Sequence, residues 1–565
     1  MQEVVSLDAP ARGARRLRRL GPLARAASPT LAEAGSASLS ALLLVLAFPD
    51  FDLWPLAWVA LAPLLFAVAR RPRAPQAFLL GWLTGTLFFY ISCSWLTYPM
   101  IHYGGIPAWL AYPLLLPAPL AAGLFPAACT LALARLCRRW GARALFFAPF
   151  LWAAMEWARL GAIGQLWNAV GYSQAYVPAL IQVARFGGIY AASFLVVAIN
   201  SAVAYALLKR DERSMVFASV VVACVALAIV CFHLTSATPT TEPPTAVVVA
   251  IQPNVIPDFE RPASETAALT ERHFAMSEAA LRALDAARPV QAGEAPGAVN
   301  QQDGDARGPL STLPRIVVWP ESPMNFTFAR NAQFRERVSR FARENRAALL
   351  FNSLQPDDDD GAYNAAVFVN EEGRLAVQYD KIRLMPFGEY VPLPRWLPGA
   401  GLVRGIVGEF TPGTRYTLMP LGDERAPRAG VFICLESAYP YITRRFAEEG
   451  ADVLIEITND AYQGDTAITR QHLANAVFRS VETGRPLLRV TNTGVSARIT
   501  PRGDLLDATG TFQTAVRTWT IARAGDEKTF YVRHGDLFVG ACAALSLIVL
   551  TFEALSRRLK LKSAG

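Results

Sequence analysis

Eight apolar runs, most of them flanked by arginine, constrain this chain more than any other feature. Their cores are Ser38–Phe48, Leu53–Ala69, Phe78–Leu96, Ile106–Leu136, Ala144–Trp157, Tyr190–Leu208, Met215–Leu234 and Leu537–Phe552. A helix needs about 20 apolar residues to cross the hydrocarbon core of a bilayer, so the pattern predicts a multispanning α-helical membrane bundle of about eight helices. The first, second and fifth runs are short, and the first is expected to borrow residues upstream of Ser38. Basic residues sit beside the runs. Arg12, Arg15, Arg16, Arg18, Arg19 and Arg25 precede the first; Arg70, Arg71 and Arg73 follow the second; Arg135, Arg138, Arg139 and Arg143 follow the fourth. Lys209, Arg210 and Arg213 lie between the sixth and seventh, and Arg557, Arg558, Lys560 and Lys562 follow the last. With the N-terminus in the cytoplasm, eight crossings leave every cluster inside, as cytoplasmic anchors require. The formal net charge of +8 is thereby accounted for without a nucleic-acid partner. No cleavable signal peptide is evident, because the basic N-terminal stretch is long and the first run opens a bundle.

Between the seventh and eighth runs the character changes. "TAVVVAIQP", "RIVVWPE", "AALLFNS", "AGVFICLE", "ADVLIEITN" and "RPLLRVTN" read as buried strands, and "NAAVFVN" with "GRLAVQYDKI" as a hairpin. Helical patterns fall near Ser264–Ala287, Ala332–Asn345, Ser437–Glu449 and Thr466–Thr483. Strands alternating with helices predict an α/β layered domain. On the orientation above it is extracytoplasmic. The expected division is a basic segment over 1–37, the bundle over 38–236, the outer domain over 237–530 and the last span with its basic tail over 531–565. A Gly-, Pro- and Ala-rich stretch at 288–312 reads as an insertion without a core of its own. The segment Glu156–Gly188, "LWNAVGYSQAYVPALIQVARFGG" within it, is aromatic and polar by turns. It reads either as a re-entrant seal or as a lipid-facing floor beneath the outer domain.

Reactive groups gather at predicted strand ends. Glu321 follows "VVWP", Lys381 follows "VQYD", and Cys434 stands where a strand turns towards a helix. In α/β domains sites collect at the carboxyl ends of strands. Six of the seven cysteines lie in or beside apolar runs as small packing residues; Cys434 is the exception. A thiol at a helix N-terminus beside a lysine is expected to have a lowered pKa. Glu321 would take its proton and Lys381 would stabilise an oxyanion. Against this stand plainer readings: Cys434 as a packed small residue, Lys381 with Glu321 as a solvated ion pair, Glu389 as a loop brace, and Glu436 as a helix cap. No CxxC pair occurs and His is scarce, so neither a metal nor an organic cofactor is expected.

"VVWPES", "YDKIRLMPFGEYVP" and "ICLES" resemble the three catalytic motifs of the nitrilase superfamily. With the eight-run frame, "TNDAYQGD" and "QHLANAVFRSVETGRPLLRVTNTGVSARITPRGDL", nearly the whole chain resembles bacterial apolipoprotein N-acyltransferases. The resemblance implies an α-β-β-α sandwich with Glu321 as base, Lys381 as oxyanion stabiliser, Cys434 as nucleophile, and Glu389 and Glu436 in support. It implies a membrane phospholipid as acyl donor and a diacylglyceryl-modified apolipoprotein as acceptor. The implied place is the bacterial inner membrane, with catalysis on the periplasmic side, and a monomer suffices. Leu435 departs from the family's usual aromatic, Tyr462 and Gln463 from its usual aromatic pair, and "QLWNAVGY" from its usual outer-loop motif. Leu435, Tyr462, Gln463, Trp167 and Tyr172 are therefore expected to line the substrate entrance or acyl groove. A membrane-anchored amidase with the same triad is the alternative, but one helix would anchor it. An inactive membrane scaffold would have no reason to keep Glu, Lys and Cys together in motif context.

Overall fold

The computed structural model describes residues 28–562 except 237–241, 259, 287–311, 323, 358–360, 393–395, 397–408 and 424–425. The arginines from Arg12 to Arg25 and nearly all of the 288–312 insertion lie outside the described residues. The helical part opens with α1 (Leu31–Ala47). The Thr30 hydroxyl accepts from the Glu33 N–H while the Glu33 carboxylate accepts from the Thr30 N–H, a reciprocal cap. There follow α2 (Ala62–Arg70), α3 (Ala74–Ser92), α4 (Thr97–His102), α5 (Ala108–Leu115), α6 (Pro117–Trp140), α7 (Ala148–Ile163), α8 (Ala184–Lys209) and α9 (Glu212–Thr235). Among the described residues, five helical stretches are long and apolar enough to cross a membrane, the run from Ala108 to Ile163 counting as one. The predicted fourth run is not one helix: Leu116 separates α5 from α6, and α6 continues to Trp140. Gly81, Gly85 and Gly123 let α3 and α6 close on each other; a Cβ on Gly85 would sit 2.9 Å from the Gly123 Cα. α8 bends at Gly187 and Gly188, the latter at φ +62°.

The α/β part has two six-stranded sheets. The strands are β1 (Ala246–Gln252), β2 (Arg315–Val318), β3 (Ala348–Pro356), β4 (Ala362–Val369), β5 (Leu375–Asp380), β6 (Leu418–Pro420), β7 (Arg428–Ile433), β8 (Val453–Thr458), β9 (Leu487–Thr491), β10 (Ala497–Ile499), β11 (Leu505–Leu506) and β12 (Ala515–Ile521). The first sheet runs β12-β1-β2-β3-β4-β5 and the second β11-β10-β9-β8-β7-β6. β1 pairs antiparallel with β12, Ala246 opposite Ile521, so the first and last strands of the domain are neighbours.

Strand periodicity divides the core. Val249 and Ile251 of β1 join Val317, Leu349 and Phe351 against Phe274, Phe334, Val338 and Phe341 of two covering helices, α10 (Ala263–Ala286) and α11 (Ala332–Asn345). The alternate residues Val248, Ala250, Ile316, Val318 and Leu350 belong to the core shared with the second sheet. α12 (Pro440–Glu448) and α13 (Ile468–Thr483) cover that sheet's other face, completing helix, sheet, sheet, helix. The chain returns through α14 (Phe530–His534) to α15 (Leu537–Lys562), which packs on α7.

α13 is buried on every side: all its residues but Arg470 are inaccessible, polar ones included. One face meets the second sheet, and the other meets α8 and the Val170–Gln174 turn of the bundle. The segment 166–175 is buried as well, so it is not a lipid-facing floor; its burial against the bundle fits the re-entrant seal. It lies between the bundle and the α/β part, the Val170–Gln174 turn touching both α8 and α13.

Candidate active site

β2 and β5 end at the same edge of the first sheet, because β2 and β3 are parallel and two antiparallel steps lead from β3 to β5. Past these ends stand Glu321 and Lys381. Lys381 is 1% exposed, and its Nζ lies 3.3 Å from Glu321 Oε1 and 2.8 Å from Glu389 Oε1. This is a buried charge cluster, not a solvated ion pair. Burial opposes the ammonium, but Glu321, Glu389 and Cys434 outweigh it and hold Lys381 well above the usual lysine range. Asn364 of β4 donates to both carboxylates, at 3.0 and 2.5 Å, and is itself held by Asn352 of β3 at 2.6 Å. Glu389 also braces its loop, its Oε2 accepting from the Met385 N–H at 2.7 Å.

Cys434 follows β7 and opens a five-residue 3-10 turn, Cys434–Ala438. Its φ is +54°, a left-handed conformation that strains a residue carrying a Cβ. Its thiol is electrostatically coupled to both Glu321 and Lys381. The expected lowering of its pKa is overturned: burial and Glu321 push the thiol well up, and Lys381 only partly offsets them. A single 3-10 turn contributes little dipole, and Lys381 is already committed to two carboxylates. The resting thiol is therefore held in its protonated form.

Glu436 clamps this turn to the lysine loop. One carboxylate accepts from the Ile433 N–H at 2.8 Å, the Ile382 N–H at 2.8 Å, the Arg383 N–H at 3.0 Å and the Tyr379 hydroxyl at 2.9 Å. It caps the turn that Cys434 opens and ties it to the two residues after Lys381.

Behind Cys434 lies a buried set that the sequence did not single out. His472 Nε2 is 3.1 Å from the Cys434 carbonyl oxygen and 3.2 Å from Glu456 Oε1, and its Nδ1 is 2.7 Å from Asp460 Oδ1. Arg489 pairs with both acids, at 2.5 Å to Glu456 and 2.8 Å to Asp460. Glu456 and Arg489 are register partners on β8 and β9. Two cations and two anions balance, as burial demands. Burial and Arg489 oppose a charge on His472, but Asp460 and Glu456 prevail and raise it to about 9. The signal in the sequence lies in "TNDAYQGD" and "QHLANAV", which carry Asp460 and His472.

The next residue along, Gln471, fastens the bundle. Its Oε1 accepts from the indoles of Trp95 and Trp167 at 3.1 and 2.9 Å, and its amide donates to the carbonyls of Ser92 and Pro49. Trp167 and Tyr172 thus lie in this joint, 4% and 2% exposed, Tyr172 packing edge-on against Phe478. The Trp167 ring also lies 5.7 Å from the ring of His472. Tyr462 approaches the triad: its ring faces Tyr103 of the bundle at 6.1 Å, and burial with nearby Glu321 raises its phenol to about 12. Gln463 is buried beside it, and Leu435, half-buried, packs against the shared core.

Two facing sheets with paired helices outside, and Glu, Lys and Cys converging from three strand ends, define the carbon–nitrogen hydrolase class, the nitrilase superfamily. Residues 315–528 match the Carbon-nitrogen hydrolase family, and residues 40–202 match the Apolipoprotein N-acyltransferase N-terminal domain. An apolipoprotein N-acyltransferase of Geobacter metallireducens is 32% identical over 91% of this chain and 94% of its own length. One from Sinorhizobium medicae is 28% identical over 83% of this chain and 86% of its own. Among solved structures, an amidase from Nesterenkonia sp. overlaps 53% of this chain and 96% of its own at 16% identity and a TM-score of 0.34. The chain belongs to the apolipoprotein N-acyltransferase family.

Proposed function

We propose that this enzyme moves a fatty acyl chain from a membrane phospholipid, through a thioester on Cys434, to the α-amine of the diacylglyceryl-cysteine of an apolipoprotein. The observation that carries the reading is the buried Lys381–Glu321 pair, 3.3 Å apart, with the turn that Cys434 opens tied by Glu436 to the two residues after Lys381, in a domain seated on an apolar helical bundle. Glu321 takes the thiol proton as sulfur attacks the ester carbonyl, and the Lys381 ammonium stabilises the oxyanion. The C–O bond then breaks, Glu321 returns the proton to the departing lysophospholipid oxygen, and the acyl group stays on sulfur. In the second half the amine attacks the thioester, gives its proton to Glu321, and the thiol is restored. Glu389 and Glu436 hold Lys381 and the nucleophile's turn in place.

We take residues 38–236 and 531–565 as the membrane part, with eight crossings, and 237–530 as a catalytic domain on the periplasmic side of the inner membrane. The arginine clusters favour this orientation. A single chain contains the whole triad, which favours a monomer.

The test is intact-mass measurement after incubation with phospholipid. Wild type should carry one acyl chain on Cys434, released by a diacylglyceryl-cysteine peptide. Free fatty acid as the main product in the presence of that peptide would favour an amidase-like hydrolase instead.

A further inference from the structure

We propose that His472 is a positioning residue for acyl transfer: its Nε2–H, donated to the Cys434 carbonyl, holds the nucleophile's backbone in the left-handed conformation that aims the thiol at Lys381 and Glu321. The inference rests on Cys434 being the nucleophile.

Three observations support it. First, Cys434 has φ +54°, and such strain persists only where the surroundings fix it. Besides the turn's own backbone hydrogen bonds, Glu436 accepts from Ile433, and the Ser437 hydroxyl lies a long 3.4 Å from the Cys434 carbonyl. Of the Ser437 and His472 side chains, His472, at 3.1 Å, is the closer donor to that carbonyl. Second, the imidazole is held at both ends. Asp460, just past β8, fixes Nδ1; Glu456 of β8 flanks Nε2; Arg489 of β9 completes the balance. A cationic donor makes a shorter and stronger bond than a neutral one. Third, the ground beneath it is rigid. α13 is enclosed, and Gln471 locks it to Trp95 and Trp167 one residue earlier. Gly494 lets this arrangement close, since a Cβ there would lie 2.3 Å from Asp460 Oδ2.

Two amide variants separate positioning from mere filling of a buried site. In His472→Gln the terminal amide reaches the place of Nε2 and can still donate to the Cys434 carbonyl. In His472→Asn it reaches only the place of Nδ1, keeps the bond to Asp460 and loses the one to Cys434. Both remove the same charge from the same cluster. The readout is the first-turnover rate of Cys434 acylation, followed by intact mass in mixed micelles of phosphatidylethanolamine and phosphatidylglycerol over a range of donor concentrations.

His472→Asn should acylate about 100-fold more slowly at saturating donor, with its half-saturating concentration unchanged, whereas His472→Gln should stay within about 10-fold of wild type. Asn equal to or faster than Gln overturns the proposal, as does a change confined to the half-saturating concentration. If His472→Asn does not purify folded, a loss beyond about 100-fold in a folded His472→Gln overturns it equally. Failure of the underlying reading looks different: an adduct on a residue other than Cys434, or one that survives in Cys434→Ser.

Discussion

At the scale of single residues, the site is a problem in placing charge without water. Lys381 supports two carboxylates from inside the protein, so its loss and the loss of Cys434 should read differently. Cys434→Ser should abolish the thioester with the melting temperature nearly unchanged. Lys381→Met should abolish it too, and should cost about 3–5 kcal/mol of stability by leaving buried carboxylates unpaired; intact mass and thermal melting distinguish the two. His472 adds a pH signature. Its folded value of about 9 lies above the ordinary 6.5, so its contribution is complete below pH 6.5 and disappears as pH rises through 9. The contribution is about 3 kcal/mol. Melting temperature measured from pH 6 to 10 should fall across that window in wild type and flatten in His472→Gln. Glu321 and Cys434 could be singled out from sequence because each follows a strongly apolar strand, and Lys381 because it closes a predicted hairpin. His472, Arg489 and Asn364 could not, because a polar residue in a helix or strand looks solvent-facing until the layer that covers it is known.

At the scale of elements, long apolar strands such as β1 and β7 and the amphipathic α11 are evident in the sequence, since burial on defined faces writes a period into it. β6, β10 and β11 are two or three residues long, and β12 is a half-exposed edge strand, so their pattern is too short or too diluted to register. α13 misleads for the opposite reason: Arg479 and Glu482 suggest a wet face, yet both are buried because the bundle lies over them. Glu482 accepts from Arg479 at 2.9 Å and from the Ile189 N–H at 2.7 Å, satisfying the donor freed where α8 bends. That bend depends on Gly188, whose φ is +62° and whose added Cβ would lie 2.9 Å from the Tyr531 ring. Gly188→Ala should therefore destabilise by about 1–3 kcal/mol, read as a lowered melting temperature in detergent.

At the scale of the whole molecule, the helical and α/β parts share one continuous core. The fold class follows from composition and period, but the seam does not, because no local pattern says that a helix will be enclosed from both sides. Residues 245–528 expressed alone should expose Phe478, Arg479 and Glu482 together and aggregate; size-exclusion chromatography of that fragment checks this, and a monodisperse, cooperatively melting fragment would count against the shared core. The pairing of β1 with β12 has a consequence of its own for biogenesis. The first strand waits for a neighbour synthesised roughly 260 residues later, so the sheet stays unfinished for nearly half of translation. During that interval one flank of β1 stands open while β2 and β3 assemble on the other, and the ribosome must nearly reach the last apolar helix before the gap is closed.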